Sequence, residues 1–408
     1  MEPAEAPVSR NADTCSRGAG RAFDWGLLGP HGRASECDDH AQVTLRSFRV
    51  ADPVAPLGQP VRFATRYNIS MSSTTAFVLV PALVLGSLAA QPRQFPQPAP
   101  YKEVTITAIP GVIAAGARWT MVWQGNETAD GILGTKDGGL LFAQEQTNHI
   151  NKLDKNGKFS VFLSSPHGPG AVAMNPKGQI LTVERTCTDP GGHLGTKPED
   201  CKEPTDVAAL TPERKVLADS FMGKGLGRVN DLIADTKGGI YFTSGGAFYL
   251  TPGGQVISIG ENLRTNGIML SPDGKTLYIT NLQTIAAFDV QPDGSVKNQH
   301  EFAKFEGGGS GDGMAVDASG RLFATTPQPN LGVQVFSPEG KYLGMIPTPR
   351  TAITVAFSGP GKKTLYVGCM GALDDNGKEV ATPPGVRNVA MTIYTVATLT
   401  QGFKGRAK

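Results

Sequence analysis

Six positions along the chain share one offset from a turn, and four of them carry carboxylate or amide side chains. In five repeats the first residue lies eight positions before the turn glycine, and alignment of a looser last repeat supplies the sixth position. Carboxylate and amide oxygens without Cys or His favour a hard cation, Ca²⁺ or alternatively Mg²⁺ or Mn²⁺. If the positions meet in space, they predict an oxygen-ligand metal site. In chain order they are Asp130, Gly170, Asn230, Asn266, Asp312 and Thr354.

The elements that must position these residues are repeated β-hairpins. Each repeat starts with an apolar stretch, continues through a Gly-containing turn and ends in an apolar or aromatic strand, and a weaker second hairpin follows it. Two hairpins give four antiparallel strands, and six such units indicate the radial blades of a propeller. The sequence therefore predicts an all-β, six-bladed β-propeller over residues 101–408, closed by an outer strand from residues 102–124. Equal offsets on equivalent innermost strands place the six positions at one height around the central channel.

An alternative explanation needs no metal. Asn and Asp often begin strands because their side chains cap loops through local hydrogen bonds. Four such residues at one register of a ring favour the metal site, because a buried polar ring costs free energy unless something satisfies it.

The first hundred residues differ from the rest. Residues 1–70 show no sustained periodicity and are interpreted as a disordered or mis-called extension, with Met71 as the true start. An apolar run ending in small residues makes 71–90 a predicted signal peptide, too short for a membrane span. A disordered arm before a buried strand is the alternative. Residues 91–100 form a Pro-rich linker, and a secreted or periplasmic location follows from the signal.

Two cysteines bracket a Gly/Pro-rich excursion. In an oxidising compartment a local disulfide between Cys187 and Cys201 is expected. Zinc binding by the pair with His193 is the alternative, but no fourth ligand is evident. Cys369 lies in an apolar run and is predicted to be a buried thiol.

Charge excludes some partners. The formal net charge is +2, and neither a basic stripe nor an acidic tail is present. We therefore expect a small-molecule substrate, no nucleic acid, and no membrane contact after signal cleavage.

Several ordered motifs carry a family resemblance. They are Arg228-Val-Asn-Asp231, Thr265-Asn-Gly-Ile268 before Ser271-Pro-Asp-Gly274, and Asp312-Gly-Met314. With them, residues 120–375 resemble the senescence-marker-protein/gluconolactonase/luciferin-regenerating-enzyme family. The resemblance implies a divalent metal at the top of the channel, held by Asn266, Asp312 and a first-blade carboxylate. That carboxylate falls on Asp130, where the family has Glu, and Glu127 is the fallback.

The resemblance also implies an activity. It implies a lactonase in which a metal, Ca²⁺ by preference with Mg²⁺, Mn²⁺ or Zn²⁺ as alternatives, polarises a sugar-lactone carbonyl while Asp312 acts as general base. Arg228 and Asn230 match the substrate-contacting residues of the family, and at two residues apart they share a strand face. Glu184 and Arg185, at the rim end of the second strand of their repeat, are further candidates for substrate contact, with a rim ion pair as the alternative. His167, three residues before Gly170, is a candidate pocket residue, with a loop histidine as the alternative. Hydrolysis of other esters or phosphotriesters, or a non-catalytic ligand-binding propeller with structural calcium, remain alternatives.

Overall fold

Strands make up nearly all of the regular structure. The computed structural model describes residues 97–405 apart from 165, 186–203, 328 and 330. Over those residues the strands form six four-stranded antiparallel sheets, a two-stranded hairpin and a single 3₁₀ turn at Pro360–Lys362. No helix in the same part of the chain is long and apolar enough to cross a membrane.

The strands follow the predicted blade order. A first strand, β1, spans Thr120–Gly125. The first blade contains β2 (Asp130–Gly134), β3 (Leu140–Gln144), β4 (His149–Leu153) and β5 (Phe159–Leu163). The second contains β6 (Pro169–Met174), β7 (Ile180–Glu184), β8 (Asp206–Ala209) and β9 (Lys215–Ala218). A small hairpin of β10 (Ser220–Phe221) and β11 (Lys224–Gly225) follows.

The remaining four blades continue the pattern. The third contains β12 (Leu232–Ala234), β13 (Ile240–Ser244), β14 (Gly246–Leu250) and β15 (Val256–Ile259). The fourth contains β16 (Thr265–Leu270), β17 (Thr276–Asn281), β18 (Thr284–Val290) and β19 (Val296–Lys304). The fifth contains β20 (Met314–Val316), β21 (Leu322–Thr326), β22 (Gly332–Phe336) and β23 (Tyr342–Pro347). The sixth contains β24 (Thr351–Ser358), β25 (Thr364–Met370) and β26 (Met391–Ala397), with β1 as its outer strand.

The ring closes through its two ends. β1 pairs antiparallel with β26, from Thr120 opposite Thr395 to Gly125 opposite Met391. The first strand of each blade contacts the first strand of the next, and β24 returns to β2. The predicted six-bladed propeller and its closure by a strand from the N-terminal side are therefore confirmed.

Burial follows the radial position of each strand. All five residues of β3 are buried, whereas the outermost strand of the same blade, β5, exposes four of its five. Apolar side chains of neighbouring blades pack face to face between the sheets, as Trp123 does against Phe142 with ring centroids 4.9 Å apart. This packing holds the innermost strands around a narrow channel.

The turn positions all have a left-handed backbone. The predicted turn glycines of the first five blades have φ between 69° and 97°. The sixth repeat has Lys362 at the equivalent position, with φ 53°. Glycine adopts this conformation at no steric cost, so its recurrence fixes the hairpin register, and Lys362 keeps that register without it.

Some predictions fall where the structure gives no description. The extension 1–70, the signal peptide 71–90, the linker up to residue 96 and both cysteines of the expected Cys187–Cys201 disulfide lie outside the described residues. Cys369 is described and is fully buried, as predicted. Burial raises the pKa of its thiol.

Candidate functional site

All six register positions line one narrow space in the channel. The space has a volume of about 20 Å³, enough for a single water-sized occupant. It adjoins an open cavity of about 320 Å³, and both are lined by Asp130, Asn230, Asn266 and Asp312. The structure thus brings together the three proposed metal ligands and two proposed substrate contacts, Asn230 and Arg185, at the end of the channel.

Local irregularities in the strands aim these residues at the channel. The β2–β3 ladder shifts register between Asp130 and Leu133, and the β16–β17 ladder shifts between Thr265 and Ile268. The β6–β7 and β24–β25 ladders shift at the equivalent places. Such bulges bend a strand and redirect a side chain.

A glycine after each proposed ligand allows the innermost strands to come close. A Cβ on Gly131 would lie 2.1 Å from the Ala171 Cα, and one on Gly267 would lie 2.3 Å from the Asp312 carbonyl oxygen. Both distances are far below van der Waals contact. The Asp-Gly and Asn-Gly pairs seen in the sequence therefore combine an oxygen ligand with the close approach that a ring of blades requires.

The second blade fills its place in the ring with an arginine. Gly170 has no side chain there, and a Cβ on it would fall 1.9 Å from the Arg185 Nε. Arg185 donates to the Val229 carbonyl at 2.9 Å, the Asn230 Oδ1 at 2.7 Å and the Asp130 Oδ2 at 3.2 Å. Burial opposes its charge, but the nearby Glu145 and Asp130 carboxylates outweigh it and raise the pKa of the guanidinium.

A buried carboxylate organises both arginines of the cavity wall. Arg228 binds Glu145 in a two-pronged pair, with Nη1–Oε1 and Nη2–Oε2 distances of 2.9 Å, and Arg185 Nη1 lies 3.3 Å from the Glu145 Oε2. Burial alone would raise the pKa of Glu145, but these two arginines lower it. Fork-to-carboxylate geometry of this kind fixes the orientation of the guanidinium. Arg228 therefore faces the cavity in a set position.

Asp312 experiences the opposite electrostatics. Burial, Asp130 and Asp231 together raise the pKa of its carboxyl well above the usual value, against the weaker opposing effects of Arg185 and Asn266. Asn230 Nδ2 donates to the Asn266 Oδ1 at 2.7 Å, which connects the neighbouring amides. Acidic groups facing one small space repel each other, and a cation between them would remove that cost.

The third ligand of the candidate set is an amide. No three side chains drawn from His, Cys, Asp and Glu converge to hold a metal anywhere in the described ranges. The set Asp130, Asn266 and Asp312 has two carboxylates and one amide oxygen, a mixture that suits Ca²⁺ or Mg²⁺ and not a soft ion.

Two proposed substrate contacts are not brought to the cavity. Glu184, although adjacent to Arg185, does not line it and is only 1% exposed. Its Oε2 accepts from the Arg214 Nε at 2.9 Å, and its Oε1 accepts from the His167 backbone N–H at 2.7 Å. His167 itself lies in the loop before β6 and is also absent from the cavity wall.

The Glu184 cluster supports a pH prediction. Burial and, next, the Glu184 carboxylate raise the pKa of Asp206 to about 8. The folded protein then keeps a proton on Asp206 that the unfolded chain releases above about pH 4. The contribution of this proton to the free energy of unfolding is therefore fully present below about pH 4 and is lost as the pH rises to about 8. We predict that Asp206→Asn flattens this decline, whose slope reaches up to about 1.4 kcal/mol per pH unit. Urea denaturation from pH 4 to 9 measures it. Equal slopes in the two proteins would refute the prediction, and Asp375→Asn, at an exposed carboxylate that does not contribute to the pKa of Asp206, serves as the control.

Part of the cavity wall consists of residues that the sequence does not single out. The pairing of Glu145 with Arg228 is not predicted from the sequence. The connection between β25 and β26 contributes a wall consisting of Arg387, Asn388, Val389, Ala390 and the start of β26. The signal for it was the unusual length of that connection, residues 371–390, in the sixth repeat.

Comparison with known proteins agrees with this architecture. A gluconolactonase of Zymomonas mobilis is 27% identical over 292 residues, covering 63% of this chain and 77% of the relative. A pentonolactonase of Haloferax volcanii is 28% identical over 213 residues, covering 44% of this chain and 73% of the relative. The solved structure of a gluconolactonase from Xanthomonas campestris has a TM-score of 0.56 at 20% identity, over 74% of this chain and 98% of that one, a likeness of fold.

The family model described as the SMP-30/gluconolactonase/LRE-like region matches residues 128–370, more than half of the chain. The match begins just before Asp130 and includes every ring position through Thr354. By this match, the chain belongs to the SMP-30/gluconolactonase/LRE-like family.

Proposed function

We propose that this protein hydrolyses sugar lactones with the help of a divalent cation. The observation that carries the proposal is the convergence of Asp130, Asn266 and Asp312 on one space at the base of an open cavity. The relatives named gluconolactonase and pentonolactonase support the reaction class. Lactone ring opening needs a polarised carbonyl and an activated water, and this donor set suits both.

The residues fit a hard cation. Asp130 and Asp312 supply carboxylate oxygens, and Asn266 supplies an amide oxygen. The raised pKa of Asp312 reflects acidic neighbours that a cation would neutralise. Ca²⁺ is our preferred ion, with Mg²⁺, Mn²⁺ or Zn²⁺ as alternatives. When bound, the cation polarises the lactone carbonyl and acidifies or positions a water.

The side chains divide the remaining work. Asp312 accepts a proton from the attacking water at a carboxylate oxygen, and so acts as general base. Arg228, held by Glu145, retains N–H groups that can donate to substrate hydroxyls or to the developing oxyanion. Asn230 accepts from Arg185 and donates to Asn266, which leaves one amide N–H for the substrate. Arg185 is a positioning residue, because its hydrogen bonds to Asp130 and Asn230 orient those two side chains.

Chelation tests the proposal. We expect EDTA to reduce hydrolysis of glucono- and pentonolactones by more than about 100-fold, and added Ca²⁺, Mg²⁺, Mn²⁺ or Zn²⁺ to restore it. A pH-stat assay measures turnover, and thermal melting of the same samples measures stability. Unchanged turnover after chelation would contradict the role of the metal.

The same panel separates the alternatives. Turnover of aryl esters or phosphotriesters without turnover of lactones would favour the alternative that the protein hydrolyses other esters. A lower melting temperature with no turnover of any substrate would favour a ligand-binding propeller with a structural ion.

A further inference from the structure

One arginine of the cavity wall has no partner among the side chains that the structure describes. Arg387 lines the open cavity, and within the described ranges it makes no hydrogen bond or ion pair. The other two arginines are paired, Arg228 with Glu145 and Arg185 with both Glu145 and Asp130. A guanidinium is always charged and prefers a carboxylate or phosphate in fork geometry. Arg387 is therefore the guanidinium of this wall that no described carboxylate pairs with directly.

The segment that carries Arg387 is firmly anchored. The buried Arg350 holds Glu379 through Nη1–Oε2 and Nη2–Oε1 distances of 2.7 and 3.0 Å. The Asn388 Nδ2 donates to the Val380 carbonyl at 2.7 Å, and its Oδ1 accepts from the Ala390 backbone N–H at 3.1 Å. These contacts hold the backbone on both sides of Arg387, so a ligand has to order only the side chain of Arg387 and not the segment that carries it.

The surroundings of Arg387 make an anion favourable there. Burial and then the positive charges of Arg228 and Arg185 lower the pKa of the Arg387 guanidinium, against the attraction of Glu145 and Asp130. A negatively charged group on the substrate would stabilise the charged form of Arg387, which burial and the neighbouring arginines disfavour. The cavity volume of about 320 Å³ suits a ligand of monosaccharide size.

We propose that the natural substrate is a sugar lactone bearing an anionic group, a carboxylate or a phosphate, and that Arg387 binds that group. The inference deepens the proposed function and rests on it. Arg387 thereby becomes the residue that determines specificity for charged over neutral lactones, while the ring residues bind the part of the substrate common to both.

Equilibrium binding of ring sugars that cannot be hydrolysed tests this without relying on turnover. Calorimetry would compare D-glucuronate and D-glucose 6-phosphate with D-glucose, which differ only at carbon 6, using metal-loaded protein. We expect at least one of the two anions to bind about tenfold or more tightly than glucose, and the better anion identifies the group. Arg387→Met should abolish the preference, whereas Arg264→Met, at an exposed arginine outside the cavity wall, should retain it.

The failures of the two proposals are distinguishable. Equal binding of the anions and glucose, no binding of either anion, or a preference that survives Arg387→Met would overturn the anionic substrate while leaving neutral lactone hydrolysis in place. Absence of turnover with every lactone would instead remove the proposed reaction. A preference for an anion that depends on Arg387 would then still establish the binding site.

Discussion

Replacing Asp312 with asparagine is expected to lower kcat for lactone hydrolysis by about 1,000-fold or more while the propeller remains folded. The variant keeps the shape of the side chain but loses the charge that binds the cation and the basic oxygen that accepts the proton. In the wild type, burial and then repulsion from Asp130 and Asp231 raise the pKa of Asp312, and the variant removes that repulsion. The metal-free variant should therefore melt no lower than the metal-free wild type. Initial rates and thermal melts of the same preparations measure both effects.

The control for this experiment is a carboxylate of the same type outside the ring. Asp375 is exposed, and Asp375→Asn should leave both rate and melting temperature unchanged. Turnover by Asp312→Asn at the wild-type rate would exclude Asp312 as the general base. A large drop in the melting temperature of metal-free Asp312→Asn would show that its charge stabilises the ring, contrary to the electrostatics described above.

Replacing Arg185 with methionine is expected to lower the free energy of unfolding by about 3 kcal/mol, near the lower end of the range for breaking a buried ion pair. Methionine fills part of the volume, but it leaves Asp130 without an arginine and leaves the carbonyl of Val229 and the amide of Asn230 without a donor. Glu145 retains Arg228, which limits the loss. Urea denaturation measures the change, and lactonase activity should fall with it because Asp130 and Asn230 lose their orientation.

A matched variant tests whether the stability loss comes from the buried position of Arg185 in the ring or simply from the loss of a positive charge. Arg228→Met removes an arginine from the same carboxylate, but the Arg228 side chain is 34% exposed against 5% for Arg185, so its loss should cost less stability. The double variant Arg185→Met with Glu145→Gln should be less unstable than the sum of the single variants, because the two side chains interact directly. Equal losses for the two arginine variants would contradict the central position assigned to Arg185.

The register of the ring could be predicted because the repeat fixes it. Equal offsets from turn glycines gave the height of Asp130, Asn266 and Asp312, and even the degenerate sixth repeat kept its turn, where Lys362 adopts a positive φ. Closure by β1 followed from the need of the last blade for an outer strand. These features depend on backbone periodicity, which the order of residues along the chain expresses directly.

The directions in which side chains point were harder to predict than the register. Glu184 and Arg185 were grouped as rim residues, but successive residues of a strand point to opposite faces, so both could not enter the cavity. Glu184 turns to Arg214, and Arg185 enters the space that Gly170 leaves open. Gly170 is needed because the Arg185 side chain passes over it, and the repeat pattern of the sequence does not predict that contact.

The position of Arg387 in the cavity could not be predicted from the repeats, for a different reason. It sits in the long connection between β25 and β26, where the turn at 374–377 does not fix the path of the backbone as far as residue 387. Its position in the cavity depends on distant anchors such as the pair of Arg350 and Glu379, which are 29 residues apart. Long-range contacts of this kind become visible only in three dimensions.

The central claim is that one cation binds between Asp130, Asn266 and Asp312 and supports lactone hydrolysis. Anomalous diffraction from crystals soaked in Mn²⁺ tests it most directly, because the manganese signal locates the ion independently of any assumption about its ligands. We predict a single strong peak in the channel, within coordination distance of an oxygen from each of the three side chains. No peak at that position, in crystals of protein that hydrolyses lactones in the same Mn²⁺ solution, would contradict the account.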